Sequence, residues 1–197
     1  MAGSASKSFT LILLAMSFYF NSSSAARVTP QSSIDFIRTS CSTTIYPKLC
    51  YSSLSIHSST IQTSPELLAN AALNVTLSSA KSTSAKMSTL SQSHGLKPRE
   101  VSAMEDCVEE LTDAVYELKK SIDEMSHAKK SNFRMMISDV QTWVSAALTD
   151  ESTCSDGFEG NAMNGNLKTA VRGKIVHTAQ LTSNALALIN NYAFRHG

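Results

Sequence analysis

Apolar positions along most of this chain recur every three or four residues. The clearest run is Val101, Met104, Val108, Leu111, Val115, Leu118, Ile122 and Met125, whose spacings alternate without a break. Such a series lays one apolar stripe along an α-helix. It predicts a helix that starts after Pro98 and ends near Ala128. Carboxylates fill its first half, from Glu100 through Glu105, Asp106, Glu109 and Glu110 to Asp113, and Lys119, Lys120, Lys129 and Lys130 follow. That polarity complements the helix dipole, at ~0.3–1 kcal/mol per well-placed terminal charge.

Upstream, Thr63-Ser64-Pro65-Glu66 reads as a T-x-x-E capping box with proline in the first turn. It opens a helix with the stripe Leu73, Leu77, Ala80, Ser84 and Met87, stopped by Gly95. Downstream, Phe133, Ile137, Val140, Val144, Ala147 and Leu148 predict a helix from Asn132 to Asp150. Gly157, Gly160 and Gly165 then interrupt the chain. A last stripe follows, from Leu167, Val171, Ile175 and Thr178 to Ala185, Ile189 and Tyr192. Period-two alternation, the mark of strands, is nearly absent. The expected fold is all-α: an antiparallel four-helix bundle over 63–197, preceded by an N-terminal α-helical hairpin arm within 27–60.

The first 26 residues stand apart. Lys7 precedes the apolar run Phe9 to Phe20, too short for the ~20 residues that span a bilayer. A polar stretch ending Ser24-Ala25-Ala26 then places small residues where a signal peptidase reads. The expectation is a secretory signal peptide over 1–26, a mature chain over 27–197, and a secreted, extracellular product with no membrane span after cleavage. In that setting the four cysteines are expected as disulfides, and Asn74-Val75-Thr76 is a usable N-glycosylation sequon.

Four cysteines allow three pairings. In an antiparallel hairpin, residues equidistant from the turn face each other. The midpoint of Cys107 and Cys154 is 130.5, inside the turn Lys129-Lys130-Ser131-Asn132. The midpoint of Cys41 and Cys50 is 45.5, beside Tyr46-Pro47. Both pairs therefore bridge hairpins, which predicts Cys41–Cys50 and Cys107–Cys154.

Composition narrows the function. At 197 residues the chain suits one domain, and its 42% hydrophobic content supports a packed core. A net charge of +1 offers no general hold on nucleic acid. Removing the signal leaves the charges balanced, which points to weak retention by anionic polymers. No serine-hydrolase elbow, P-loop or dinucleotide fingerprint occurs. Glu124-Met125-Ser126-His127 matches one half of a di-iron motif, but such sites need two copies and further Glu residues. His57, His94, His177 and His196 lack partners at ligand spacing, so neither metal nor cofactor is expected. Trp143 lies one residue from the Val140–Val144 stripe and is expected in the core rather than as an anchor for a partner. What remains is a non-catalytic binding protein.

Several segments carry a resemblance. Phe36-Ile37-Arg38-Thr39-Ser40-Cys41, Tyr46-Pro47-Lys48-Leu49-Cys50 and Ala103-Met104-Glu105-Asp106-Cys107 resemble the plant invertase and pectin methylesterase inhibitor family. So do Val140 to Leu148, Thr153-Cys154-Ser155-Asp156-Gly157-Phe158 and Leu181 to Ile189, so nearly all of the mature chain is covered. The resemblance implies a helical bundle with an N-terminal hairpin and two sequential disulfides. It implies a partner too, either plant pectin methylesterase or acid invertase. Invertase inhibitors resemble one another in a Pro-Lys-Phe segment, whereas this chain reads Lys130-Ser131-Asn132-Phe133, which favours pectin methylesterase. On that reading the inhibitor covers the substrate cleft of the enzyme one-to-one. The family's contact positions correspond to Glu109, Asp113, Thr153 and Asp156, with Tyr116 where the family carries a third acid. Positions 109, 113 and 116 share one helix face. The alternatives are an invertase inhibitor, the pro-region of a methylesterase precursor (disfavoured by the chain's ending at Gly197), and a structural or ligand-carrying bundle.

Overall fold

A computed structural model describes residues 29–129, 131–159 and 165–196. The expected signal segment, Lys130 and Gly160 lie outside the described residues. Among those described, seven α-helices and a single 3₁₀ turn account for the regular structure, with no strand. The arm comprises α1 (Pro30–Cys41), α2 (Pro47–Leu54), the 3₁₀ turn Ser55–His57 and α3 (Ser58–Ile61). The bundle comprises α4 (Pro65–Ser91), α5 (Pro98–Ser126), α6 (Phe133–Asp156) and α7 (Asn166–His196).

All four prolines of the chain open a helix. Proline fits there because the first helical N–H has no intrahelical partner and its φ is already helical. It also holds the preceding residue extended, and this moves one cap from its expected place. Ser64, not Thr63, caps α4: it lies at φ −94° and ψ 120°, and its Oγ accepts from the Leu67 N–H at 3.3 Å. At α5, the Lys97 N–H donates to Glu100 Oε2 at 2.8 Å.

Each bundle helix packs against two others, α4 and α6 both lying against α5 and α7. α5 and α7 therefore stand diagonally across the core. The most deeply buried residues of α5 are Met104, Cys107, Leu111, Ala114, Leu118, Ser121 and Met125. Val101, Val108, Val115 and Ile122 of the expected stripe are only half-buried. The inward face is thus rotated toward Cys107, Ala114 and Ser121, whose small side chains allow the neighbouring helix to approach. α4 does the same, burying Ala72, Thr76, Ala80 and Thr83 while Leu77 and Ser84 sit at the margin. α6 runs six residues past its expected end at Asp150, because Glu151 and Cys154 continue the buried series Val140, Val144 and Ala147. Phe158, wholly buried just beyond α6, closes that end of the core against Val171 and Ile175.

Disulfides join Cys41 to Cys50 and Cys107 to Cys154, with Cα atoms 5.5 Å and 4.3 Å apart. These are the pairings that the hairpin midpoints give. The arm seats on α7 through Asn184, whose Oδ1 accepts the Tyr46 N–H and whose Nδ2 donates to the Tyr46 carbonyl, both at 3.0 Å. Asn191 adds a bond to Thr43 Oγ1 at 3.1 Å. No helix among the described residues is long and apolar enough to cross a membrane.

Candidate functional site

The Cys107–Cys154 bridge fixes how α5 and α6 lie together, and the candidate residues are arranged about it. Glu109, Asp113 and Tyr116 are exposed on α5, Tyr116 at 55%. Thr153 and Asp156 are exposed in the last turns of α6, on either side of Cys154. Thr153 Oγ1 is already engaged, donating to the Thr149 carbonyl at 3.0 Å.

Behind this surface the two helices bring carboxyl groups together. Glu117 pairs with Asp150 across the α5–α6 seam, and burial, followed by that hydrogen bond, pushes Glu117 up to about 8. Asp150 is raised by burial, and Glu110 by burial and then by the charge of Asp150. Exposed Asp113 raises all three further through its charge. One layer deeper, Glu151 is 0% exposed. Thr182 Oγ1 of α7 donates to its Oε1 at 2.9 Å, while Oε2 has no partner. Burial pushes Glu151 up to about 8, and the Thr182 bond only partly offsets this. In mildly acidic solution Glu117 and Glu151 carry protons, which lessens the repulsion in a seam rich in acids.

Trp143 departs from expectation. It is half-buried rather than in the core, and its ring meets that of Tyr116 edge-on, with centroids 6.5 Å apart and planes at 89°. Lys120 Nζ lies 5.9 Å from the centre of each ring, within cation–π range. The surface therefore combines exposed carboxylates with an aromatic pair and a cation. Tyr and Trp are the residues most often found to dominate protein–protein affinity. Near the far end of α5, His127 Nδ1 donates to the Asp123 carbonyl at 2.8 Å. Among the described residues, no three of His, Cys, Asp and Glu are placed to hold a metal ion. This arrangement can bind a partner.

Residues 35–188 match the family model for plant invertase/pectin methylesterase inhibitors. The chain belongs to this family. It is 48% identical over 164 residues to the 21 kDa protein of Daucus carota, covering 82% of this chain and 85% of that one. It is 45% identical over 192 residues to Pectinesterase inhibitor 11 of Arabidopsis thaliana, covering 94% and 95%. A crystal structure of a mutant form of a pectin methylesterase inhibitor from Arabidopsis shares the fold, with a TM-score of 0.64 at 23% identity over 81% of this chain and 96% of that one.

For a member of the invertase/pectin methylesterase inhibitor family, the contacts that sequence reasoning missed are those that depend on two helices at once. Glu151 does lie on the buried series of α6, a spacing that marks it as inward despite its charge. Tyr116 and Trp143 lie nearly equidistant from the midpoint that pairs Cys107 with Cys154. Asn184 carries no local signal, since its partner is a distant backbone. Asn74 of the sequon is exposed and donates to the Asn70 carbonyl at 2.8 Å, while Thr76 is 1% exposed.

Proposed function

We propose that this chain is a secreted proteinaceous inhibitor of plant pectin methylesterase and that it binds through the α5–α6 hairpin. The observation that carries the reading is the single exposed surface of Glu109, Asp113 and Tyr116, backed by Trp143 and covalently tied at Cys107–Cys154 to Thr153 and Asp156. Relatives named pectinesterase inhibitors, similar over most of the chain, support the choice of target. The mechanism is occlusion: one inhibitor covers one substrate cleft, its carboxylates and tyrosine making hydrogen bonds there, and the inhibitor itself performs no chemistry. The disulfide holds the two helices in register before contact, which lowers the ordering cost of association. Residues 1–26 are a signal peptide on this reading, the inhibitor domain is 27–197, and Asn74 is open to glycosylation.

The deciding experiment titrates the oxidised mature protein against a plant pectin methylesterase and a cell-wall invertase in parallel. Saturating loss of methylesterase activity near equal stoichiometry, with invertase untouched, is expected. Loss of invertase activity alone would instead assign the chain to the family's other target.

A further inference from the structure

The balanced overall charge conceals a segregated one. Of sixteen carboxylates, thirteen lie between residues 98 and 156, the span of α5 and α6. Glu66 in the first turn of α4 is the sole acid of that helix, and α7 has none in 31 residues. α7 instead carries Lys168, Arg172, Lys174, His177, Arg195 and His196, and α4 adds Lys81 and Lys86. Since α4 packs on α7 and α5 on α6, the cationic pair forms the side of the bundle opposite the acidic pair.

On that cationic side, α2, α4 and α7 enclose a groove of 480 Å³, within the ~300–1,000 Å³ range of small-molecule sites. Ser52, Ser78, Ser82, Lys174 and His177 line it, and no carboxylate does. Its floor is internally satisfied, with Thr178 Oγ1 lying 2.8 Å from Ser79 Oγ and 3.0 Å from Thr83 Oγ1. A second groove of 600 Å³ continues along α7, sharing His177 and adding Thr169, Gly173 and Gln180. Arg172 also borders it, already paired with Glu159 Oε1 at 2.9 Å. Gly173 is exposed within a helix, where glycine costs about 0.5–1 kcal/mol relative to alanine. A Cβ there would meet nothing within 4 Å, so internal packing does not demand glycine. Its bare backbone leaves room for a molecule lying along the groove.

We propose that these adjoining grooves bind a chain of uronic acids, the de-esterified form of pectin. Serine and threonine hydroxyls match the hydroxyls of the sugars, Lys174 and His177 meet carboxylates, and two grooves joined end to end suit a polymer better than a single small molecule. The choice of this polymer rests on the methylesterase reading above, because de-esterified pectin is that enzyme's product. The inhibitor then holds the enzyme on one side and the wall polymer on the other, and balanced net charge no longer implies weak retention.

The test measures retention of the full oxidised mature chain on immobilised polygalacturonate and on the same polymer fully methyl-esterified, with methylesterase inhibition assayed separately. Retention on the de-esterified polymer alone, released by salt, is expected. Lys174→Glu combined with His177→Ala should weaken it at least tenfold and leave inhibition unchanged. Gly173→Leu should weaken it as well while raising helix stability, which separates lost binding from lost folding. Absence of retention, equal retention on the esterified polymer, or undiminished binding in both variants overturns the proposal. So does a loss caused instead by Lys129→Glu in the α5–α6 turn. Intact inhibition without retention rejects the grooves alone, whereas retention without inhibition supports the grooves and rejects the methylesterase reading.

Discussion

α5 packs on α6, and α4 packs on α7, yet the two pairs are held by different chemistry. The first pair is joined by Cys107–Cys154, shares the Glu117–Asp150 carboxyl pair, and sets Tyr116 edge-on against Trp143. The second has no covalent link; small residues and the hydroxyls of Ser79, Thr83 and Thr178 fill its seam, and α7 also serves as the seat of the arm. A surface that must meet an enzyme gains from being ordered beforehand, because flexible side chains and backbones lose entropy on binding. The pair bearing the proposed contact residues is the stapled one. The hydroxyl-seamed pair contributes to stability, to docking of the arm and to the cationic grooves.

Breaking the staple is the most severe way to test this contrast. Replacing Cys107 and Cys154 by alanine opens a loop of sequence separation 47, worth about 4 kcal/mol in the chain-entropy model. The equivalent change at Cys41 and Cys50, separation 9, should cost about 2.5 kcal/mol. Calorimetry should show a lower Tm for the first variant than for the second, and the reverse order would mean that the arm rather than the hairpin is the keystone. Next comes the surface. Glu109→Ala with Asp113→Ala should weaken methylesterase inhibition by about 2 kcal/mol or more, roughly thirtyfold, with unchanged helicity by circular dichroism. Undiminished potency would move the contact elsewhere. On the other pair, Asn184→Ala leaves the Tyr46 N–H unpaired, while the Tyr46 carbonyl keeps the Cys50 N–H at 2.9 Å, and should cost about 1–3 kcal/mol in denaturant titrations, with faster amide exchange at Tyr46.

The last test reads a slope rather than a single difference. Glu117 and Glu151 have ordinary values of 4.5 and stand at about 8 in the fold. Below 4.5 folded and unfolded chains both hold these protons, whereas between 4.5 and about 8 only the folded chain does. Stability therefore falls with rising pH across that interval and levels off above it. Glu151→Gln keeps an acceptor for Thr182 and removes one contributor, so its stability should match the parent in acid and exceed it near pH 8. An unaltered pH profile would show that Glu151 is not held protonated.

What could be read in advance follows from the same contrast. The helices, their antiparallel order and the disulfides were legible because each depends on spacing along one chain: apolar repeats, prolines at helix starts, and equal distances from a turn. The exposed strip of Glu109, Asp113 and Tyr116 follows from spacing as well. Trp143 misled because a large indole near an apolar stripe reads as core, while its partner Tyr116 belongs to another helix. Glu151 went unread, since burying a carboxyl is costly unless it is neutral and bonded, and that bond comes from Thr182 on a third helix. Ser64 displaced Thr63 as a cap through a local effect, since proline constrains the residue directly before it.

The clamp between Tyr46 and Asn184 joins residues 138 apart in sequence. Synthesis makes the arm first and its seat nearly last. The Cys41–Cys50 bridge spans only nine positions and can close without the bundle. The arm is in that sense an early part with a late fastening: its bridge can be oxidised and its helices laid on α4 while most of the molecule is still unmade, and the final helix then brings the Asn184 that clamps it.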